Sequence, residues 1–230
     1  MLTTRHFTDR YDAGRRLGVA LRGHAGDRPL IVLGLPRGGV PVASRVAEEL
    51  NAPLDVFVVR KLGVPGHEEL ALGAIASGGV QVFNEDVIGE LGVAPDTIQR
   101  VIAAETRELE RREAAYRAEH AFPVVAGETV IVVDDGAATG ASMRVAVVAL
   151  RQLGPRAIIA ATPVASREAL RLLEAVADEC VCVLTPDTFD GVGRWYADFS
   201  EVSDVEVRVL LADARRRWRT AGPLAADMRS

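Results

Sequence analysis

The sequence predicts one α/β domain built on an open, mainly parallel sheet with helices on both faces. Strand-length apolar stretches alternate with stretches of helical character through most of the 230 residues. Those strand-like stretches are apolar throughout, which is typical of parallel strands buried on both sides. Glycine and polar residues collect where the stretches end, and open sheets of this kind bind ligands beyond the carboxyl ends of their strands.

The elements follow one another in a strand–helix–strand order. The first strand is predicted at residues 29–35, with a glycine turn and a helix over 40–51 after it. The 95–120 stretch predicts the longest helix, because it combines strong helix formers with opposite charges near i,i+4 spacing. Residues 62–73 are too interrupted by Gly and Pro for any element to be predicted. The remaining predictions are strands at 53–61, 74–77, 80–84, 128–135, 156–164 and 180–186 and helices at 141–153 and 166–177.

Composition limits the classes of function that fit. We expect a single domain with a core over about 29–185 and a hood or lid formed by about 186–230 with the N-terminal segment. A net charge of −5 argues against a nucleic-acid surface. No apolar run reaches membrane-spanning length and the N-terminus lacks a signal-peptide core, so the cytoplasm is the expected location. We expect small-molecule substrates, no nucleic acid and no membrane as partners, and we leave a homodimer open.

The stretch "VIVVDDGAATGAS", residues 130–142, carries the strongest functional signal. Asp134 and Asp135 stand at the end of a buried strand, where carboxylates suit vicinal hydroxyls or a divalent metal. Small residues follow, so backbone N–H groups can approach an anion at the start of the next helix, with hydroxyls from Thr139 and Ser142. The pattern predicts a sugar phosphate as ligand. The alternative, an acid that only caps the helix, would need a single acid.

A second turn points to the same edge of the sheet. "GLPRGG" follows the first strand and can offer backbone donors together with the fixed cation of Arg37. Its glycines do not have dinucleotide-binding spacing, and the sequence has no Gly-Lys-Ser or Gly-Lys-Thr phosphate loop. A plain strand-to-helix turn remains the alternative for this segment.

The 130–142 stretch resembles the phosphoribosyl pyrophosphate signature of type I phosphoribosyltransferases. With "LPRGG", "RKLGVPGHEELALGA" and "VDDGAATG", the chain resembles most an uncharacterised bacterial group described as predicted phosphoribosyltransferases. The resemblance implies that pyrophosphate is bound by Arg37, Gly38 and Gly39 and by a basic side chain, that of Arg60 or Lys61. A mobile loop over about 62–72 is implied as well. It also implies a phosphoribosyl pyrophosphate site that includes Asp134, Asp135, Gly136, Ala137, Ala138, Thr139, Gly140, Ala141 and Ser142.

The implied reaction is the transfer of ribose 5-phosphate to a nitrogen acceptor, as in nucleotide metabolism, with release of pyrophosphate. Mg²⁺ is the implied cofactor, with Asp134, Asp135 and Asp198 as its candidate ligands. Arg37, Lys61 and Asp135 are the candidate catalytic residues, and His67 has no firm role. No protein nucleophile is needed for this displacement.

The segment after residue 185 resembles the hood of purine phosphoribosyltransferases. Phe189, Trp195 and Tyr196 are therefore candidates for stacking on a flat heterocyclic acceptor. A hydrophobic lid packed on the sheet explains the same residues. A second class of function also stays open, in which the protein binds phosphoribosyl pyrophosphate as a sensor and does not turn it over.

Overall fold

A computed structural model describes residues 6–26, 29–118 and 120–221, and a five-stranded parallel sheet forms its centre. All four strand pairings in this sheet are parallel. The predicted open parallel sheet is confirmed. In spatial order its strands are β2 (Leu54–Val56), β1 (Leu30–Gly34), β6 (Thr129–Val133), β7 (Ala157–Val164) and β8 (Glu179–Leu184).

Helices cover both faces of this sheet, as predicted. Helices α1 (Arg10–Ala20) and α2 (Gly39–Glu49) lie on one face, and α5 (Ala141–Gln152) and α6 (Arg167–Glu174) lie on the other. Successive residues of each strand point to opposite faces. In β6, for example, Ile131 and Val133 pack with the first group and Val130 and Val132 with the second. Burial on both faces is the reason that the strands read as unbroken apolar runs.

A second, three-stranded antiparallel sheet corrects the prediction for residues 53–72. The predicted strand at 53–61 is split between β2 in the main sheet and β3 (Val59–Val64) in the second, which also contains β4 (His67–Ala76) and β5 (Val80–Phe83). The segment expected to be a loop is therefore a β-hairpin. Gly and Pro interrupt its pattern because the β3–β4 register shifts around Gly63 and the chain turns at Gly66, where φ is +83°.

The predicted long helix is confirmed, and the described part of the chain contains three α-helices that were not predicted from the sequence. Helix α4 (Pro95–Arg117) is the predicted long helix, whereas α1, α3 (Glu85–Leu91) and α7 (Asp204–Ala221) were not foreseen. Of the predicted hood, residues 186–203 form a loop with a short 3-10 helix (Val192–Trp195), and α7 packs against α2 and α4. The expected hood residues 1–5 and 222–230 lie outside the described residues. No helix in the described ranges is long and apolar enough to cross a membrane.

A buried cluster of charged residues connects the end of α4 to β2. Arg117 is 2% exposed, and its Nε donates to the Asp55 carboxylate at 2.8 Å. Its Nη2 donates to the Val56 carbonyl at 2.5 Å, and its Nη1 donates to Glu113 one helical turn away. Arg215 of α7 lies 3.5 Å from the other Asp55 oxygen. The cluster therefore joins three elements at one end of the molecule.

Candidate functional site

The two predicted ligand turns meet at the carboxyl ends of β1 and β6. Gly39 lies so close to the end of β6 that a Cβ there would be 2.6 Å from the Val133 carbonyl oxygen. A Cβ on Gly38 would overlap the Asp135 carboxylate. The peptide bond between Pro36 and Arg37 is cis. Both glycines are thus required by the close approach of the two turns, which is more than a simple strand-to-helix turn demands.

The two acids are held in different ways. Asp134 Oδ1 accepts a hydrogen bond from the Asp135 amide at 2.9 Å. The Asp135 carboxylate accepts one from Arg10 Nε at 2.8 Å, and the Asp135 carbonyl accepts one from the Tyr196 hydroxyl at 2.5 Å. Burial, reinforced by the neighbouring Asp135 charge, raises the pKa of Asp134 well above its ordinary value. Burial also raises the pKa of Asp135, and Arg10 opposes that rise.

The turn after the acids forms a small cavity of about 200 Å³ at the start of α5. Gly140, with φ +71°, is the N-cap residue, so the first amides of α5 open into this turn. The turn is held against the end of β7, because the Ala137 amide donates a hydrogen bond to the Val164 carbonyl at 2.9 Å. Asp134, Thr139 and Ser142 all line the cavity. A helix N-terminus, backbone amides and hydroxyls in one concave turn suit a phosphate group.

A larger cavity of about 520 Å³ lies on the other side of Asp134, between the end of β1, the second sheet and α5. Lys61 and Pro36 belong to its lining, and Ala71 and Ala74 of β4 form part of its wall. Asp134 therefore lies at the junction of the two cavities. Asp135 lines neither of them, because its carboxylate turns toward Arg10.

The structure distinguishes between the two predicted basic residues of β3. Lys61 lines the larger cavity, whereas Arg60 forms an ion pair with Glu105 of α4, with Nη2 2.6 Å from the carboxylate. Adjacent strand residues point in opposite directions, so only one of the two can face the cavity. Arg37 lies in the glycine turn, where its Nη2 donates to Glu201 of the hood loop.

The predicted acceptor-binding aromatics lie together, but mainly against one another. Tyr196 is only 6% exposed, and its ring centroid is 5.3 Å from that of Phe7 and 5.0 Å from that of Phe199. Phe189 and Trp195 pack against the same cluster, and the Trp195 ring meets that of His6 edge to face. This packing is what the hydrophobic-lid alternative predicts for Tyr196. Phe199, which was not predicted, is the more exposed ring at 37%.

The N-terminal segment and the hood loop are joined by backbone pairing. The Phe7 amide donates to the Trp195 carbonyl at 2.8 Å, and the Ala197 amide donates to the Phe7 carbonyl at 2.8 Å. Asp198 follows this pairing, and its carboxylate accepts hydrogen bonds from Ser200 that lower its pKa. Within the described part of the chain, no three His, Cys, Asp or Glu side chains form a metal-holding group. Asp198 therefore does not join Asp134 and Asp135 in such a group.

Arg10, like Phe199, belongs to this site and was not predicted from the sequence. It belongs to the first turn of α1, and it reaches the acid pair across 125 positions of sequence. No motif marks it. The one indication in the sequence is electrostatic: two adjacent acids in a buried turn need a nearby cation to compensate their charge, but the sequence does not say which cation.

The five-stranded parallel sheet brings the turn at the start of α5, the acid pair and the glycine turn after β1 together at one edge. This arrangement defines an α/β domain with a candidate ligand site at the carboxyl ends of its strands. The model of the "Phosphoribosyl transferase domain" family matches residues 6–197, and the chain belongs to this family. The predicted family is thereby confirmed.

Relatives support the same assignment. Two Mycobacterium tuberculosis proteins, named "Putative phosphoribosyl transferase MT0597" and "Putative phosphoribosyl transferase Rv0571c", are each 42% identical over 220 residues, or 96% of this chain. The chain spans about half (49%) of the length of these curated relatives. The crystal structure of TT1426 from Thermus thermophilus is 42% identical with a TM-score of 0.81, over 90% of this chain and 98% of that one.

Proposed function

We propose that the protein is a phosphoribosyltransferase that uses phosphoribosyl pyrophosphate and Mg²⁺ and transfers ribose 5-phosphate to a nitrogen acceptor. The observation that carries the proposal is the position of Asp134 between two cavities of different character. The small one suits the 5-phosphate at the start of α5. The larger one has Lys61 on its wall and suits the charged pyrophosphate. The ribose hydroxyls would then lie between them, within reach of carboxylates.

The chemistry needs positive charge where the leaving group departs. A bond forms between the acceptor nitrogen and the anomeric carbon, and pyrophosphate leaves with the electron pair of the broken C–O bond. Lys61, Arg37 and the backbone amides near Gly38 and Gly39 would stabilise the charge that develops on pyrophosphate. The β3–β4 hairpin forms one wall of the larger cavity, so its closure over the ligand would keep water away from the activated sugar.

The donor set fits a Mg²⁺ ion that takes most of its ligands from substrate and water. Mg²⁺ prefers oxygen ligands and commonly binds through one or two carboxylates plus substrate phosphates. Asp134, which faces both cavities, provides such an oxygen, and Asp135 is its neighbour. When bound, the ion would supply neutralising charge to pyrophosphate.

The acceptor is proposed to be a flat nitrogen heterocycle or a related amine that approaches from the hood side. Phe199 supports this proposal, because its partly exposed ring lies beside the acid pair under Arg10, 3.9 Å from the guanidinium carbon. Aromatic rings suit planar heterocycles. The hood thus keeps a role in acceptor binding, with Phe199 as the accessible ring.

Pyrophosphate release with a panel of nucleobases and amines, in the presence of phosphoribosyl pyrophosphate and Mg²⁺, tests the proposal. We expect release that depends on one acceptor and exceeds the hydrolysis measured without any acceptor. Calorimetry with phosphoribosyl pyrophosphate and Mg²⁺ accompanies it. Binding without release for every acceptor would favour the sensor alternative, whereas the absence of binding would overturn both.

A further inference from the structure

Arg10 makes three contacts that together link the acid pair to the hood. Its Nε donates to Asp135 Oδ2 at 2.8 Å, and its Nη1 donates to the Ser200 carbonyl at 2.7 Å. The guanidinium also lies over the Phe199 ring, 3.9 Å from its centroid. The side chains of Arg10 and Asp135 are 11% and 15% exposed, so their ion pair is largely shielded from water, whereas the contacts to Ser200 and Phe199 lie nearer the surface. Surface ion pairs of the kind that contribute little do not describe this arrangement.

The geometry specifically requires an arginine. A planar guanidinium donates from fixed directions and stacks on an aromatic face at the same time, which the compact ammonium of lysine does not reproduce. Asp135 Oδ2 is held on one side by Arg10 and on the other by the close approach of Gly38. The remaining oxygen, Asp135 Oδ1, accepts no hydrogen bond from any other described residue. A fixed carboxylate with one open oxygen is prepared for an incoming hydroxyl donor.

We propose that Arg10 is a positioning residue for the ribose group. Asp135 lines neither cavity, but Arg10 holds its carboxylate beside Asp134 at the junction of the two, where Asp135 Oδ1 meets a ribose hydroxyl that reaches past Asp134. Through Ser200 and Phe199, Arg10 also connects the hood loop to this carboxylate. The inference rests on the proposed function. Without Arg10, the Asp135 carboxylate would lie beside Asp134 in a buried turn with its compensating cation removed. The hydroxyl contact and the hood position would be lost together.

The proposal distinguishes between ligands with and without ribose. Arg10 contacts Asp135 and the hood, whereas the proposed pyrophosphate groups are Arg37 and Lys61. Removal of Arg10 should therefore weaken phosphoribosyl pyrophosphate and ribose 5-phosphate and leave Mg²⁺-pyrophosphate binding unchanged. A general loss of packing around α1 would weaken all three.

Arg16 offers a matched control on the same helix. It pairs with Asp12 at 2.9 Å and lies over the Phe7 ring at 5.2 Å, so it too combines an ion pair with an aromatic contact. It makes no contact with the acid pair among the described residues. Arg10→Ala and Arg16→Ala therefore remove similar side chains from α1, and only the first removes the contact to Asp135.

The experiment is calorimetric titration of the parent and both variants with the three ligands, with melting curves to verify folding. We expect Arg10→Ala to lose roughly tenfold to a hundredfold in affinity for the two ribose ligands, as for a lost charge-assisted hydrogen bond, and Arg16→Ala to match the parent. If Arg10→Ala does not fold, Arg10→Lys replaces it, with an expected loss of roughly threefold to tenfold because it cannot reach Asp135 and Ser200 together.

The outcomes separate the two proposals. A parent that binds phosphoribosyl pyrophosphate, together with a folded Arg10→Ala variant of equal affinity, overturns the role of Arg10 and leaves the proposed function standing. The role of Arg10 is also overturned if Arg10→Ala and Arg16→Ala lose affinity for the ribose ligands equally. The same holds if Arg10→Ala loses as much affinity for Mg²⁺-pyrophosphate as for the ribose ligands. A parent that binds none of the ligands overturns both proposals.

Discussion

At the scale of single residues, Asp134 combines a proposed binding role with a cost in stability. It stands at the junction of the two cavities, where a ligand can use its oxygens. Its pKa is raised chiefly by burial and also by Asp135, which means that the folded state holds its charge unfavourably. Sites that need buried charge commonly give up stability in this way.

Asp134→Asn should therefore stabilise the protein at neutral pH and impair ligand binding. Asparagine keeps the oxygen that accepts from the Asp135 amide but removes the buried charge. We expect Tm to rise by about 2–4 °C, the shift that ~1 kcal/mol gives in a domain of this size. Affinity for phosphoribosyl pyrophosphate should fall roughly tenfold to a hundredfold. Melting curves and calorimetry measure the two effects.

The stability gain should depend on pH in a defined direction. Above the ordinary aspartate pKa of 3.8, the folded state holds more protons at Asp134 than the unfolded state does, so the parent loses stability as the pH rises toward the raised folded pKa. The Tm difference between Asp134→Asn and the parent should be small below pH 3.8 and grow above it. A difference that stays constant with pH would contradict the buried-charge explanation.

Lys61→Ala should slow turnover more than it weakens affinity for phosphoribosyl pyrophosphate. Its charge is expected to act on the departing pyrophosphate, and loss of one such stabilising group costs roughly a hundredfold in kcat. Arg60→Ala is the neighbouring comparison, because Arg60 pairs with Glu105 of α4. Steady-state kinetics with the active acceptor decide between them: a large kcat effect in Arg60→Ala alone would reverse the assignment.

Sequence could identify the acids and the phosphate turn because they are contiguous. It could not choose between Arg60 and Lys61, since the choice depends on which face of β3 meets α4. It could not find Arg10 at all, because this partner of Asp135 lies in α1, 125 positions away in the sequence. Local patterns carry no record of such tertiary pairings.

At the scale of elements, the glycine turn after β1 and the turn that follows β6 pack closely against each other. Gly38 has ordinary right-handed helical angles, with φ −61° and ψ −33°, so its backbone does not require glycine. The requirement is steric, because Asp135 occupies the place of its side chain.

Gly38→Ala should consequently displace the Asp135 carboxylate and abolish most ligand binding. We expect affinity for phosphoribosyl pyrophosphate to fall by more than about tenfold. Gly89→Ala is a suitable control, because Gly89 lies in α3 with open space around it and alanine favours a helix by up to ~1 kcal/mol. Calorimetry with melting curves tests both: full affinity in Gly38→Ala would mean that Asp135 is not held against the turn.

Elements were predicted well where packing on both sides enforces a simple pattern. Strands β1, β6, β7 and β8 and helices α2, α5 and α6 lie close to their expected places, whereas α1 was not predicted and the strand predicted at 53–61 is divided between two sheets. Residues 62–72, the middle of the β3–β4 hairpin, were expected to form a loop, because their glycines and proline serve a register shift and a turn within paired strands. Glycine and proline occur both in hairpins with a bulge and in irregular loops, so the residue types alone do not distinguish the two structures.

At the scale of the whole molecule, the Arg117 cluster joins α4, β2 and α7 at one end of the fold. Arg117→Ala should destabilise the protein by about 3–5 kcal/mol, the usual result of removing one partner of a buried ion pair. Arg111→Ala should have little effect, because Arg111 pairs with Glu108 on the exposed face of the same helix. Chemical denaturation gives the comparison, and equal losses in the two variants would contradict a special role for the buried cluster.

The pairing of Phe7 with residues 195–197 also bears on how the molecule is made. The segment around Phe7 leaves the ribosome before residues 195–197, and at about 5–20 residues per second it waits roughly ten seconds or longer for this partner to be synthesised. Throughout that interval, its aromatic ring lacks the cover that Tyr196 later provides. A nascent chain that has reached residue 184 already holds every strand of the main sheet. Assembly of the core can therefore precede completion of the candidate site, which requires residues 195–197 to pair with the segment around Phe7.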